Sequence, residues 1–123
     1  MKSVMIKNIS KISFLNGKIE TIDNLISSGG YKDAYKAAAA LVELVNVVLL
    51  EKVYNEKVES SNIINLIKIL ESKEKDISGI LTEINGEYNL INYEKVKRRD
   101  VEFLIGYLDD IVGIIIEKHG NIF

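Results

Sequence analysis

No proline occurs anywhere in the 123 residues of this chain. Proline interrupts helices because its ring removes a backbone N–H and clashes with the carbonyl four residues back. Helical registers here can therefore be stopped only by glycine and by polar clusters, and apolar residues do recur at helical spacing along most of the sequence. Ile9, Ile12, Leu15, Ile19, Ile22 and Ile26 advance by steps of three, three, four, three and four that keep all six on one stripe. That spacing predicts a first helix over about residues 5–28, ended at Ser27-Ser28-Gly29-Gly30, since glycine readily takes the left-handed conformation of a helix C-cap.

A second stripe, Ala34, Ala38, Leu41, Val45, Val48 and Leu49, predicts a helix from Tyr31 to Tyr54. Val42, Leu44 and Val47 add apolar surface off that stripe, and the run Ala37 to Ala40 is small enough for close packing. This is expected to be the central helix of the fold or a subunit interface. A polar break at Asn55-Glu56-Lys57 follows, then a short third helix carrying Ile63, Ile64, Ile67 and Leu70, with Ser60 or Ser61 as its N-cap. Glu71 to Asp76 reads as a charged bend. A fourth helix carries Ile77, Ile80, Leu81 and Ile84 and is expected to loosen near Asn85-Gly86. The last is expected over Tyr93 to His119, with Gly120 as C-cap. Period-two alternation is never sustained, so the expected class is all-α: an up-and-down helical bundle of four to five helices, residues 1–123 forming one domain.

Composition excludes several kinds of chemistry. Without cysteine there is no disulfide scaffold, thiolate metal site or cysteine nucleophile. The formal net charge of −2 provides no broad field for holding duplex nucleic acid. No apolar run approaches the roughly 20 residues that span a bilayer, and no signal-peptide pattern opens the sequence, so a cytoplasmic location without membrane contact is expected.

The only histidine, His119, is read as a favourable charge at the carbonyl end of the last helix rather than as a catalytic base. Glu102, Asp109, Asp110 and Glu117 read as a solvated face, since no Glu-x-x-His pair accompanies them as in carboxylate metal sites of bundles. Gly106 and Gly113 suggest a close approach of two helices. No catalytic residue, metal ligand or cofactor site is expected.

The feature that stands out is Lys95-x-Lys97-Arg98-Arg99, which holds both arginines of the chain. It falls in the expected first turns of the last helix, the positive end of the helix dipole, where exposed cations are disfavoured by a few tenths of a kcal/mol each. Such a cluster is either a phosphate or RNA contact, with Tyr88 and Tyr93 near enough in sequence to stack on a base, or a solvated patch or salt-bridging surface for a partner subunit.

The stretch Ser27 to Leu44, with Gly29-Gly30-Tyr31, Ala34, the four alanines and the long apolar helix beyond, resembles the corresponding helix of HEPN domains and of the related substrate-binding subunits of minimal nucleotidyltransferases. Asn62 to Leu70 looks like their following helix, with Ser61 where a histidine often stands. The ribonuclease members carry an arginine, four to six residues and then a histidine near the start of the last helix. Here Arg98 and Arg99 are followed by Phe103, Leu104, Ile105 and Gly106, so the resemblance implies the non-catalytic branch: a module that dimerises and binds a nucleotide, RNA or a nucleotidyltransferase partner. It carries over only the arginines, as phosphate contacts; Lys95, Lys97 and Tyr93 complete the expected ligand-binding set. The alternative is a structural subunit that joins a larger assembly through its central helix. A two-fold homodimer is expected from the apolar excess of that helix and of Ile114, Ile116, Ile122 and Phe123.

Overall fold

Residues 8–58 and 63–120 are described by a computed structural model, in which every regular element is helical. The five α-helices are α1 (Asn16–Ser27), α2 (Tyr31–Tyr54), α3 (Ile63–Lys73), α4 (Ser78–Leu90) and α5 (Arg98–His119). Two 3-10 turns precede α1, and one each precedes α4 and α5. The expected all-α, up-and-down bundle is what forms. Helix α2 packs against α1, α3 and α5, while α4 packs against α5 and α3. One apolar core runs between them, with Tyr35, Leu41, Leu49 and Leu50 from α2 facing Leu66 and Leu70 of α3 and Leu104, Leu108, Ile111 and Ile115 of α5.

The ends of these helices have local causes. After α1, Gly29 takes φ +81°, its N–H donates to Ile26 O and the Gly30 N–H donates to Leu25 O at 2.7 Å. This paired arrangement satisfies the orphan carbonyls of the last turn. Asn55 ends α2 in the left-handed region at φ +53°, a conformation asparagine tolerates better than most residues. Gly120 closes α5 at φ +80°, its N–H donating to Ile116 O.

Several boundaries differ from the expectation. The first helix begins at Asn16, not near residue 5; the preceding segment forms two 3-10 turns, Ile9–Lys11 and Ser13–Leu15, separated by Ile12 in an extended conformation. Ile9, Ile12 and Leu15 are buried as their spacing predicts. The reason for the break is tertiary: the Asn8 and Ile9 N–H groups donate to Asp109 Oδ1 at 2.8 and 2.7 Å instead of continuing a helix. The fourth helix does not loosen at Asn85-Gly86; Asn89 Nδ2 donates to Asn85 Oδ1 at 3.1 Å across that turn, and buried Ile84 holds it to the core. The last helix begins at Arg98 rather than Tyr93, which forms a 3-10 turn with Glu94 and Lys95. Ser60, Ser61, Ile122 and Phe123 lie outside the described residues, as does the side chain of Leu81.

Candidate functional site

The connection from α4 to α5 is built from short-range polar contacts. Asn92 Oδ1 accepts from the Glu94 N–H at 3.0 Å, the Lys95 N–H donates to Asn92 O, and Lys97 then runs extended into α5. Asp100 Oδ2 accepts from the Lys97 N–H at 2.9 Å, an acidic side chain in the first turn where the dipole favours it. This turn sets Lys95 before the helix, Lys97 at its N-cap and Arg98 and Arg99 as its first two residues, all four exposed. Arg98 Nε lies 3.6 Å from Glu102 Oε2, an exposed i,i+4 pair that stabilises little. Among the described residues, Lys95 and Lys97 have no ion pair.

Exposed rings stand close to the cations in the chain. Tyr93 is 38% exposed and turns an edge to the buried ring of Tyr35, with centroids 5.8 Å apart. On α5, Phe103 is 44% exposed and stacks on Tyr107 at 6.3 Å with planes 28° apart. Arg99, Phe103 and Tyr107 follow one another at four-residue steps and so share one helix face. Sequence reasoning brought Tyr93 to the cluster but missed Phe103. The signal was present: Phe103 falls off the apolar stripe of Val101, Leu104, Ile105 and Leu108, which packs inward.

Behind this edge lies a polar floor. Tyr35 is fully buried and its hydroxyl has no hydrogen-bond partner among the described residues; the same holds for Glu87 Oε1. Burial raises the Tyr35 phenol, with Glu87 adding to the shift. Burial likewise raises the Glu87 carboxyl, reinforced by the Asp100 carboxylate beside it and opposed by Arg99.

A second polar cluster, at the other end of α5, was not anticipated. The bend expected from Glu71 begins only after Lys73, where α3 ends, and its first residue, Glu74, is only 4% exposed. Lys118 Nζ donates to Glu74 Oε1 at 2.7 Å and to Asp76 Oδ2 at 2.9 Å, and Tyr54 Oη donates to Glu74 Oε2 at 3.1 Å. His119 Nε2 lies 3.8 Å from Glu74 Oε2 and its ring meets Tyr54 edge-on. The hydrogen bond from Lys118 is the largest cause holding the Glu74 carboxyl below its ordinary range, while burial and then Glu74 push Tyr54 up to about 12. The histidine thus has a carboxylate neighbour, contributed by the bend after α3 rather than by Glu117. Three elements are clamped to one buried anion.

Asp109 also departs from the solvated face expected for it. It is buried and accepts from the Asn8 and Ile9 N–H groups and from Asn8 Nδ2, fastening the first described residues to α5. Gly113 admits that same Asn8 side chain, since a Cβ there would stand 2.5 Å from Nδ2. Its close approach is to the N-terminal segment, not to another helix. Among the described residues no group of three or more acidic or histidine side chains is arranged to hold a metal ion, and no helix is long and apolar enough to cross a membrane. Compared with known proteins, the chain matches no family model, no curated protein and no solved structure.

Proposed function

We propose that this chain is a non-catalytic, HEPN-like binding module that takes single-stranded RNA, or a nucleotide as its smallest unit, along the N-terminal edge of α5. The observation that carries the reading is where exposed cations and rings fall on the chain: Lys95, Lys97, Arg98 and Arg99 follow closely on Tyr93, and Arg99 shares a face of α5 with the stacked Phe103 and Tyr107. Single strands are held by this combination, phosphates on cations and bases on aromatic faces, without the broad basic field that a duplex needs. The lone histidine supports a binding rather than a cleaving role. Twenty residues of helix separate His119 from Arg99, about 30 Å at 1.5 Å per residue, so the two cannot act on one phosphodiester.

Fluorescence anisotropy of a labelled 12-nucleotide oligoribonucleotide tests the proposal. Replacing Phe103 by Ala is expected to weaken binding by roughly tenfold, the scale of one lost base stack. Replacing Lys97, Arg98 and Arg99 together by Ala is expected to weaken it further and to reduce its salt dependence. Binding unchanged in both variants would remove the edge from consideration.

A further inference from the structure

The polar floor behind Tyr93 holds more than a site for phosphates alone requires. Cations hold a polyanion, so a carboxylate among them weakens the hold unless another contact uses it. The other acidic side chains at this end of the bundle have such a contact. Glu94 lies 4.0 Å from Lys32 Nζ, Glu102 pairs with Arg98, and Asp100 accepts from the Lys97 N–H. Glu87, in the last turn of α4, differs: its Oε1 is buried without a hydrogen-bond partner among the described residues. The hydroxyl of Tyr35, fully enclosed in the second turn of α2, is unpaired in the same way. The two belong to one neighbourhood, since Glu87 and Tyr93 both act on the Tyr35 phenol and the Tyr93 ring meets that of Tyr35 edge-on. Buried polar groups are ordinarily paired, so an acceptor and a hydroxyl left over together behind a partly exposed ring are groups that a ligand edge can satisfy.

We infer that this floor reads a guanine base, which stacks on Tyr93 and turns its Watson–Crick edge to Glu87 and Tyr35. The inference rests on the RNA reading and names the base that the edge prefers. Among the four bases, guanine alone presents two adjacent N–H donors on that edge, at N1 and N2, and a carboxylate offers two parallel acceptor oxygens to meet them. The third group of the edge, O6, is an acceptor, and the Tyr35 hydroxyl supplies a donor for it. Adenine and cytosine would set a bare ring nitrogen, itself an acceptor, against the carboxylate, and uracil has a single N–H. Single-stranded RNA leaves this edge free, which is how unpaired bases are recognised by stacking and hydrogen bonding together. Burial and Asp100 both act against charge on Glu87, and a pair of N–H donors favours it, so guanine offsets the cost of keeping this carboxylate in the fold. Arg99 acts in the same direction as the donors and lies on the edge already assigned to phosphates.

Fluorescence anisotropy of the full chain with four labelled uridine 12-mers, whose central residue is guanosine, inosine, adenosine or uridine, tests this. Guanosine should bind about tenfold tighter than adenosine, the scale of one bidentate base contact. Inosine keeps O6 and N1–H but lacks the N2 amine, and should fall about threefold below guanosine. Glu87→Gln sets an amide donor against the guanine donors and should bring guanosine level with adenosine, within about twofold. Its salt dependence should stay that of the native chain, since no phosphate contact is lost, and circular dichroism should show unchanged helicity. Tyr35→Phe, which removes only the hydroxyl, should reduce the preference about threefold. A native chain that binds guanosine and adenosine within about twofold overturns the inference and leaves the RNA reading standing. So does a guanosine preference that survives Glu87→Gln. Binding of none of the four at low salt overturns the RNA reading itself, and the inference with it.

Discussion

Three buried polar residues carry much of what is specific to this bundle, and they do so in different ways. Glu74 is satisfied by Lys118 and Tyr54, and its carboxyl is held below the ordinary range. A carboxyl lowered in this way stabilises the fold above the unfolded-state value of about 4.3, and that contribution is lost as the pH falls through the folded value. Glu74→Gln is therefore expected to cost about 2 kcal/mol at pH 7, the scale of charge-assisted hydrogen bonds, with the difference from the native chain shrinking as the pH falls below the unfolded-state value of about 4.3 in urea titrations. Asp109 has the opposite sign, since burial raises its carboxyl despite the N–H donors around it, so its contribution declines as the pH rises through its folded value. Asn46 lies in the core with neither side-chain atom hydrogen-bonded among the described residues. An unpaired buried amide costs about 1–3 kcal/mol, so Asn46→Val is expected to raise stability by about 1 kcal/mol in the same titration. A loss of stability there would mean that the amide has a partner. None of these roles was legible in the sequence: a glutamate in a charged bend and an aspartate among acidic neighbours look solvated until the partners, 44 and 101 residues distant, are known.

At the scale of elements, periodicity located every helix and chemistry set the ends. The stripe from Ile9 to Ile26 correctly named the buried residues, yet α1 covers only half of it, because backbone donors at Asn8 and Ile9 bind Asp109 instead of their own helix. Spacing fixes which side points inward; it does not distinguish a helix from 3-10 turns that keep the same side inward. Glycine signals were more reliable where the chain must turn than where it merely passes. Gly29 and Gly120 end helices at positive φ as read, whereas Gly86 lies within an unbroken α4. Gly29→Ala should accordingly destabilise the chain by about 1 kcal/mol in thermal melts, through left-handed strain alone, since a Cβ there meets no neighbour within 4 Å. The start of α5 was misplaced by five residues, and the shift alters the site. Lys95 and Lys97 precede the helix rather than lying on it, and Asp100 stands alone as the acidic residue of the first turn.

For the whole molecule, the two ends of α5 divide the work. One end is tied down by Glu74, Lys118 and His119; the other presents cations and rings to solvent. The aromatic half of the proposed RNA edge depended on knowing which residues α5 turns outward. A near-neutral chain can hold a polyanion only locally, so the number of phosphates engaged is the quantity on which the account turns. Its most direct measurement is the salt dependence of binding to a labelled single-stranded oligoribonucleotide by the native chain and by the variant lacking Lys97, Arg98 and Arg99. With about 0.7 counterions released per phosphate contact, four contacts predict a slope of log K against log salt near −3, reduced by about 2 in the variant. Absence of binding at low salt, or one slope shared by both proteins, would contradict the account.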